Sequence, residues 1–236
     1  MNSLLVSKMP SGAPEIFASV QGEGLSAGVP STFCRLATCN LRCTWCDTAY
    51  TWDWDRFDRA EQTMTATTDD LLTAITALPP KNVVITGGEP LIQKRDLEPF
   101  VRDLKSRGYR IEVETNGTIS PGPLATLIDQ FNVSPKLRHA GNEGLDVLPE
   151  GPLREFAALP HANFKFVVQS EADLAEVEAL LSRFEIPAVR VVLMPEGRTA
   201  AELNARSPWL AEACTRRGYR FSSRLHILIW GDKRGV

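Results

Sequence analysis

Cysteine thiols are the side chains of this sequence whose type and spacing point most directly to chemistry. Three of the five cysteines, Cys39, Cys43 and Cys46, stand within eight positions, whereas Cys34 precedes them and Cys214 lies far downstream. Thiolates at this spacing can converge from adjacent turns of the backbone on one metal centre. A structural zinc ion normally takes four ligands. Three thiolates therefore favour a [4Fe–4S] cluster with one iron left free to bind a substrate or cofactor.

Two alternative roles for these cysteines stay open on the sequence alone. Cys34 or a distant residue would complete a structural zinc site, or the thiols would simply be buried side chains. The three histidines, His139, His161 and His226, are all far from the cysteine triplet in sequence. We expect Cys34 and Cys214 to be buried small hydrophobic residues, because neither has the spacing of a cluster ligand.

Composition limits the classes of partner and compartment. The chain has 236 residues, of which 43% are hydrophobic and 23% charged, and its formal net charge is −3. Such a chain is typical of globular proteins and has no general attraction to nucleic acid or to anionic membranes. It contains no apolar run near the roughly 20 residues that span a bilayer, and no signal-peptide core with a cleavage site. We therefore expect a cytoplasmic protein with neither a nucleic-acid nor a membrane partner, in which clustered cysteines serve metal or redox chemistry.

The elements that must position the cysteines are strands and helices in alternation. Apolar, β-branched runs predict buried strands at 31–36, 82–86, 110–115, 131–134, 163–168, 188–193 and 219–225. A helical pattern over 170–181 opens with Ser170 and Asp173, the two residues of a capping box. Repeated βα units predict an α/β fold with parallel strands. A full eight-unit barrel takes about 250 residues, so we expect one domain, 1–236, folded as an incomplete TIM-like βα barrel.

The cysteine loop follows the first of these strands, and a second motif follows the next strand. This motif reads Thr86-Gly87-Gly88-Glu89-Pro90. Its glycines permit a close approach of the backbone, and its carboxylate suits an ammonium group. No Lys-Ser/Thr pair follows, so the motif is not a phosphate-binding P-loop. On its own it would be an ordinary strand-to-helix turn.

Together, the cysteine triplet and this turn resemble the signature of the radical S-adenosylmethionine (SAM) superfamily. The resemblance implies a [4Fe–4S] cluster whose free iron binds the methionine part of SAM. It also implies an electron donor, such as flavodoxin or ferredoxin, that allows a 5′-deoxyadenosyl radical to form. By the same resemblance Trp45, which precedes the third cysteine, packs near the adenine, and the turn at Gly88 and Glu89 receives the amino group of SAM.

A narrower resemblance extends over nearly the whole chain. The segments EIFASVQGEG (15–24), CDT (46–48), SPK (134–136) and the C-terminal WGDKRGV are similar, in that order, to the 7-carboxy-7-deazaguanine synthases of the superfamily. The resemblance implies a homodimeric carbon–nitrogen lyase of 7-deazapurine (queuosine-type) biosynthesis. Its reaction would contract 6-carboxy-5,6,7,8-tetrahydropterin to 7-carboxy-7-deazaguanine with loss of ammonia. A different radical enzyme, such as a glycyl-radical activase, would keep the cysteine loop but lack the opening segment and need a protein-docking groove.

Carried over position by position, the resemblance assigns roles to individual residues. The cluster ligands are Cys39, Cys43 and Cys46; the Mg²⁺ ligand is Thr48; the other cofactor contacts are Trp45, Asp47, Gly88, Glu89, Ser134, Pro135 and Lys136; and the pterin contacts are Val20, Gln21, Gly22, Glu23, Arg35, Thr86 and Val236. The planar fork of Arg35 suits the substrate carboxylate. No side chain is assigned as a catalytic acid, base or nucleophile, because the cofactor carries the radical chemistry.

Purely structural roles compete with several of these assignments. Gln21 and Glu23 would form a polar turn beside glycines, and Thr48 would only cap the cysteine loop. His226, placed after a predicted strand, would be structural. Segment 137–160 shows no catalytic pattern. The aromatic residues expected to cover the cysteine loop against solvent are Trp52, Trp54 and Phe57.

Overall fold

The computed structural model describes residues 2–236, which contain one mixed β-sheet with helices packed against it. The strands are β1 (Ser3–Ser7), β2 (Ile16–Val20), β3 (Pro30–Leu36), β4 (Thr63–Thr67), β5 (Asn82–Gly87), β6 (Arg110–Thr115), β7 (Gln130–Val133), β8 (Ala162–Val168), β9 (Val191–Pro195) and β10 (Arg220–Phe221). The helices are α1 (Arg59–Gln62), α2 (Thr68–Thr76), α3 (Lys94–Ser106), α4 (Glu150–Ala158), α5 (Glu171–Phe184), α6 (Ala200–Arg217) and α7 (Leu225–Trp230). Within residues 2–236, none of these helices has the length and apolar character needed to cross a membrane.

Seven parallel strands form the larger part of the sheet, in the order β3-β5-β6-β7-β8-β9-β10. Helices α3 to α6 lie in the connections between β5 and β10. The sheet ends with β10 on one side and with β2 and β4 on the other, and no pairing within residues 2–236 joins these edges. The sheet is therefore open, and the predicted α/β fold, an incomplete TIM-like barrel with parallel strands, is confirmed.

Three antiparallel strands precede or interrupt the parallel part and are not predicted by the sequence patterns. Strand β2 pairs along β3 with Phe17 opposite Phe33, and β1 pairs with β4. Each of the three has five residues; β1 and β4 mix buried with exposed side chains, and no side chain of β2 is fully buried. Such strands are too short and too polar to stand out as periodic. They extend the sheet beyond β3 and place β2 beside the strand that carries the cysteine loop.

One predicted strand boundary needs a small correction, and one predicted helix start is confirmed. The strand expected at 188–193 begins only at Val191, because 188–190 form a 3-10 turn. The capping box is present at the start of α5, where the Ser170 N–H donates to the Asp173 carboxylate over 3.0 Å.

The strand predicted at 219–225 is largely wrong. Only Arg220–Phe221 pair with β9, and Leu225 begins helix α7. The predicted stretch, YRFSSRL, alternates apolar with polar residues only as far as Phe221, and the polar residues that follow do not continue the strand pattern. His226 is therefore a helical residue, and its ring lies so close to Gly22 that a Cβ there would stand 2.1 Å from Nδ1.

The two faces of the parallel sheet differ in polarity. In β6, Ile111 and Val113 belong to the apolar core that the helices cover, whereas Glu112 and Glu114 alternate with them on the other face. The neighbouring strands add further buried polar side chains, namely Asn82, Gln130, Asn132 and Lys165. The inside of the open barrel is thus polar and the outside apolar, which leaves the inside free for a chemical site.

Candidate active site

One cavity at the carboxyl ends of the parallel strands brings the predicted site residues together. Thr86 from β5, Thr115 from β6 and Met194 from β9 line it. So does every residue predicted to bind the cluster, Mg²⁺ or the pterin. Of the predicted cofactor contacts, Glu89 and Pro135 do not line the cavity, and the others do.

The cysteine loop leaves β3 and folds along part of the cavity wall. Thr38 turns the chain with φ of 74°, and the Cys46 N–H donates to the Cys43 carbonyl oxygen over 3.2 Å. Burial raises the pKa of the Cys39 thiol to about 12 and raises that of the Cys43 thiol as well. These thiols consequently need a nearby positive charge, such as a metal centre, to become thiolates.

The glycine turn lies directly against the start of the cysteine loop. A Cβ atom on Gly87 would stand 1.9 Å from the Leu36 carbonyl oxygen, and one on Gly88 would stand 1.9 Å from that of Thr38. The Gly88 N–H donates to Leu36 O over 3.2 Å, and the Glu89 N–H donates to Thr38 O over 2.8 Å. Glycine is required because the ends of β3 and β5 touch here, and this contact joins the two motifs into one site.

Glu89 holds a different position from that expected of an ammonium ligand. Its fully buried carboxylate accepts hydrogen bonds from Leu91 N (3.0 Å), Thr115 Oγ1 (2.9 Å) and Asn116 N (2.6 Å). Burial raises the pKa of this carboxyl group. Glu89 therefore ties the end of β5 to the end of β6 from behind the cavity wall.

A second part of the cavity wall consists of buried ion pairs. Lys165 Nζ donates to Glu23 Oε2 over 2.6 Å and to Glu114 Oε2 over 2.8 Å. Arg224 donates to Glu23 Oε1 over 3.0 Å and pairs with Asp47. Burial opposes the charge of Glu23, but Lys165 and Arg224 outweigh it and lower the pKa of that carboxyl. For Glu114, burial outweighs the attraction of Lys165 and raises the pKa.

Arg35 is held at the cavity by a buried carboxylate that it shares with the C-terminal tail. The carboxylate of Glu15 is fully buried. Its Oε1 accepts hydrogen bonds from Arg35 Nε (2.8 Å) and from the Tyr50 hydroxyl (3.0 Å). Its Oε2 accepts a hydrogen bond from Arg234 Nη2 (2.6 Å). The Arg234 guanidinium also lies 3.8 Å from the Tyr50 ring centroid, and Val236 beyond it lines the cavity. Within residues 2–236 the two terminal nitrogens of Arg35 have no hydrogen-bond partner, so its fork remains available to an anion.

The aromatic residues expected to cover the cysteine loop have different positions. Trp52 lines the cavity, and its Nε1 lies 3.4 Å from Cys46 Sγ. Trp54 and Phe57 do not line the cavity. Phe57 instead packs edge-on against Tyr50, with 6.5 Å between the ring centroids.

Known proteins resemble this chain both in the region of the two motifs and over nearly its whole length. Residues 35–158 match the Radical SAM superfamily. The 7-carboxy-7-deazaguanine synthase of Pyrobaculum aerophilum is 41% identical over 224 residues, which cover 94% of this chain and 95% of that protein. The synthase of Rhodopirellula baltica is 36% identical and covers 100% of this chain and 90% of its own length. The crystal structure of QueE from Escherichia coli matches with a TM-score of 0.71 at 28% identity, over 95% of each chain.

This chain belongs to the 7-carboxy-7-deazaguanine synthase family of radical SAM enzymes. The fold alone is shared more widely. The structure of SuiB from Streptococcus suis bound to its precursor peptide matches 81% of this chain and 47% of that chain, with a TM-score of 0.57 at 14% identity.

The residues of the site fit the [4Fe–4S] cluster and the SAM that radical SAM enzymes carry. Three thiols from one loop line the cavity, and within residues 2–236 no three His, Cys, Asp or Glu side chains converge as ligands of a single metal ion. Cys34 is fully buried and does not line the cavity, which removes it as a fourth zinc ligand. Near the loop, Trp45 Nε1 is buried without a partner in the same residues, and Lys136 Nζ lies 5.5 Å from the Trp45 ring. This donor set suits one thiolate on each of three irons beside an aromatic and polar surface for a nucleoside.

Sequence reasoning missed the ion pairs of this radical SAM site. Lys165 stands inside an apolar strand (NFKFVV), and Glu114 stands in an alternating strand (RIEVET) that is mostly buried. A charge in a buried strand needs a partner. That signal was available and could have identified both residues. Arg234 offered none, because its partner Glu15 is 219 positions away.

Segment 137–160, which shows no catalytic pattern in sequence, packs against the cysteine loop. The His139 ring stacks on Trp45 with 5.8 Å between centroids. The Thr44 N–H donates to the Ala140 carbonyl oxygen over 3.0 Å. The segment thus supports the radical SAM loop from outside the cavity.

Proposed function

We propose that this radical SAM enzyme is a carbon–nitrogen lyase that converts 6-carboxy-5,6,7,8-tetrahydropterin into 7-carboxy-7-deazaguanine with loss of ammonia. The nearly full-length likeness to 7-carboxy-7-deazaguanine synthases supports this reaction. The proposal includes a single radical SAM domain over 1–236 and a place for the product in 7-deazapurine (queuosine-type) biosynthesis.

The observation that carries the proposal is the free fork of Arg35 in the cavity that the three cysteines line. The substrate bears a carboxylate, and a planar guanidinium binds a carboxylate through two parallel hydrogen bonds. When bound, the cluster and SAM supply a 5′-deoxyadenosyl radical. Arg35 would hold the carboxyl-bearing carbon at a defined position within the same cavity, since Glu15 fixes its Nε.

Other groups of the cavity complement the pterin ring. Glu23 and Glu114 offer carboxylate oxygens to the N–H groups of the ring, and Gln21, whose Nε2 donates to Glu114 over 3.3 Å, offers an amide. Phe17 and Phe33, stacked with 5.1 Å between centroids, both line the cavity and offer an apolar face. A flat ring with polar edges fits this combination of surfaces.

The proposal extends to Mg²⁺, to a reductant and to a second subunit. Thr48 lines the cavity two positions after Cys46, and its hydroxyl oxygen would be one ligand of a hard cation that the substrate carboxylate and water complete. An electron donor such as flavodoxin or ferredoxin would reduce the cluster, and the chain would act as a homodimer. These parts rest on family resemblance.

The proposal is tested by the mass of the product. The protein, reconstituted anaerobically with iron and sulfide, is incubated with SAM, a reductant, Mg²⁺ and 6-carboxy-5,6,7,8-tetrahydropterin. We expect a product lighter than the substrate by one ammonia, formed more slowly when Mg²⁺ is omitted. Cleavage of SAM without any pterin product would assign the chain to a different radical SAM reaction and contradict the proposal.

The Arg35 clamp is tested separately with Arg35→Lys, which keeps a cation beside Glu15 but loses the fork. We expect pterin affinity to fall about tenfold or more, while the iron content stays that of the wild type. The matched control is Arg217→Lys, because Arg217 at the end of α6 forms an ion pair with Glu178 of α5; this variant should bind the pterin normally. Equal affinities of the two variants would remove Arg35 from the substrate site.

A further inference from the structure

The sulfur atom of each predicted cluster ligand receives an N–H group. The Leu41 backbone N–H donates to Cys39 Sγ over 3.4 Å. At Cys43 and Cys46 the nearest donors are side chains from separate segments. Asn142 Nδ2 lies 3.2 Å from Cys43 Sγ, and Trp52 Nε1 lies 3.4 Å from Cys46 Sγ. Two longer contacts, from Asn116 Nδ2 to Cys39 Sγ (4.0 Å) and between the Thr48 hydroxyl and Cys46 Sγ (3.7 Å), are weaker. No role of either side chain follows from the radical SAM motifs.

The geometry around Asn142 fixes which end of its amide faces the sulfur. Its Oδ1 accepts the Arg42 backbone N–H over 2.6 Å, so Nδ2 is the atom left to face Cys43. The neighbouring Gly141 packs tightly on the loop, because a Cβ there would stand 2.6 Å from Thr44 Cγ2. Asn142 is therefore held against the cysteine loop by contacts on both sides.

Trp52 presents a donor whose direction has no ambiguity, since the indole ring has a single N–H group. The residue directly follows the 3-10 turn Ala49–Thr51, and its backbone N–H donates to Ala49 O over 3.0 Å. Its ring lines the cavity. The indole N–H donates to Cys46 Sγ, and no carbonyl or carboxylate within residues 2–236 competes for it.

We propose that Asn142 and Trp52 are positioning residues that raise the reduction potential of the cluster. Reduction adds one electron from a one-electron donor to the cluster, with no bond broken and no proton transferred. The added negative charge is shared with the cysteine sulfurs, and N–H groups aimed at those sulfurs stabilise it. This inference rests on the cluster common to the radical SAM family and does not depend on which substrate is used.

The test measures the midpoint potential of the reconstituted full chain without SAM. An anaerobic dithionite titration is followed by absorption and by EPR of the reduced cluster. We expect Trp52→Phe and Asn142→Ala each to shift the midpoint potential downward. At the wild-type midpoint, the ratio of reduced to oxidised cluster should fall about fivefold, which corresponds to the net free energy of one average hydrogen bond. Asn142→Asp keeps the acceptor for the Arg42 N–H and replaces the donor by an oxygen, so its shift should be larger in the same direction.

Matched variants separate tuning from simple structural support. Trp54→Phe removes an indole that does not line the cavity, and Asn204→Ala removes an exposed amide on α6; both should keep the wild-type potential. Iron content and unfolding are measured for every variant. The proposal would be overturned if Trp52→Phe and both Asn142 variants kept the wild-type midpoint potential, even if they had lost iron. A purely structural role would lower the fraction of protein that holds a cluster but would not change the potential of the clusters that remain. Equal downward shifts in the two control variants would overturn it as well.

Discussion

Two parts of the cavity wall, the cysteine loop and the buried ion pairs, are assembled in opposite ways. The loop supplies Cys39, Cys43 and Cys46 from eight consecutive residues. The ion pairs join residues from distant segments, such as Lys165 and Glu23, which are 142 positions apart. Their electrostatics differ as well. Burial raises the pKa of the Cys39 and Cys43 thiols. At Glu23, by contrast, two close cations outweigh burial and lower the pKa, whereas at Glu114, with Lys165 alone beside it, burial still prevails.

The two parts should therefore respond differently to substitution. The loop is predicted to hold the cluster through three cysteine ligands, so the loss of one ligand should remove the function but little of the protein's stability. The ion pairs hold separate segments together, so the loss of one charge leaves its partners buried without compensation. Substitutions in the first part should change chemistry, and substitutions in the second should change stability and substrate affinity.

The largest expected effect is that of Cys43→Ala. With two thiolates left, the protein should lose its [4Fe–4S] cluster and all SAM cleavage, while its unfolding curve stays close to that of the wild type. Iron and sulfide counts after anaerobic reconstitution measure the loss. Cys214→Ala, in the buried part of α6, is the control and should keep the full iron content. Wild-type iron in Cys43→Ala would contradict the ligand assignment.

The next effect is that of Glu15→Gln in the ion-pair part. Removing the carboxylate that Arg35 and Arg234 share should lower the free energy of unfolding at pH 7 by about 3–5 kcal/mol, measured by urea denaturation. Although burial opposes it, the two arginines lower the pKa of Glu15 below its usual value of 4.5. The stabilisation should therefore be complete above pH 4.5 and be lost as the pH falls through the lower folded pKa, so wild type and variant converge in acid.

The control for this substitution is Glu150→Gln, whose carboxylate pairs with Arg154 and Arg183 at the exposed surface. Solvent screens such pairs, so this variant should unfold like the wild type at every pH. Equal losses in Glu15→Gln and Glu150→Gln would show that burial of the ion pairs does not matter.

A smaller effect is expected from Arg224→Lys, which tests whether the ion pairs shape the substrate site. Arg224 joins Glu23 in the opening segment to Asp47 beside the cluster loop and also donates to Gly197 O over 2.7 Å. A lysine ammonium cannot reproduce this fork. We expect pterin affinity to fall about tenfold with an unchanged iron content, measured by binding of the pterin to the reconstituted protein. Arg102→Lys on α3, paired with Glu98, should bind normally; a matching loss there would point to a non-specific effect.

The smallest effect is expected at the second ion pair of the C-terminal tail. Asp232 pairs with Arg198 at the exposed surface over 2.5 Å, and Asp232→Asn should change the free energy of unfolding by less than about 1 kcal/mol. Arg234→Gln, two positions further on, removes a partner of the buried Glu15 and should cost clearly more. Urea denaturation of both variants makes the comparison. A larger loss in Asp232→Asn would reverse the distinction between buried and exposed pairs.

Much of the cysteine part was predictable because its chemistry is contiguous. Cys39, Cys43 and Cys46 could be predicted as ligands from their spacing, whereas the glycine turn could be interpreted only together with the cysteine triplet, through its resemblance to the family motif. The structure adds a packing reason for Gly88, since its missing Cβ makes room for the Thr38 carbonyl oxygen. Glu89 shows the same limit, because three donors from other positions hold it behind the cavity wall.

In the ion-pair part, single residues could be predicted from the sequence, but the pairs that they form could not. Arg35 and Glu23 could be named from family resemblance, but their partners could not. Arg224 follows β10 in a stretch that sequence patterns assign to a strand, so neither its helix-capping position nor its contacts were visible. The short antiparallel strand β2, which ends at Val20 where the predicted pterin contacts begin, was missed for lack of periodicity.

By itself, the sequence determined the βα alternation of the barrel and the family of the enzyme, and it predicted the ligands of the cluster. These properties depend on spacings of a few residues, and such spacings are directly visible along a chain. Only the tertiary structure decided which charges meet, because a pair such as Arg234 and Glu15, 219 positions apart, has no local spacing. It also decided that Asn142 and Trp52 face the cysteine sulfurs, since packing brings these separate segments against one loop.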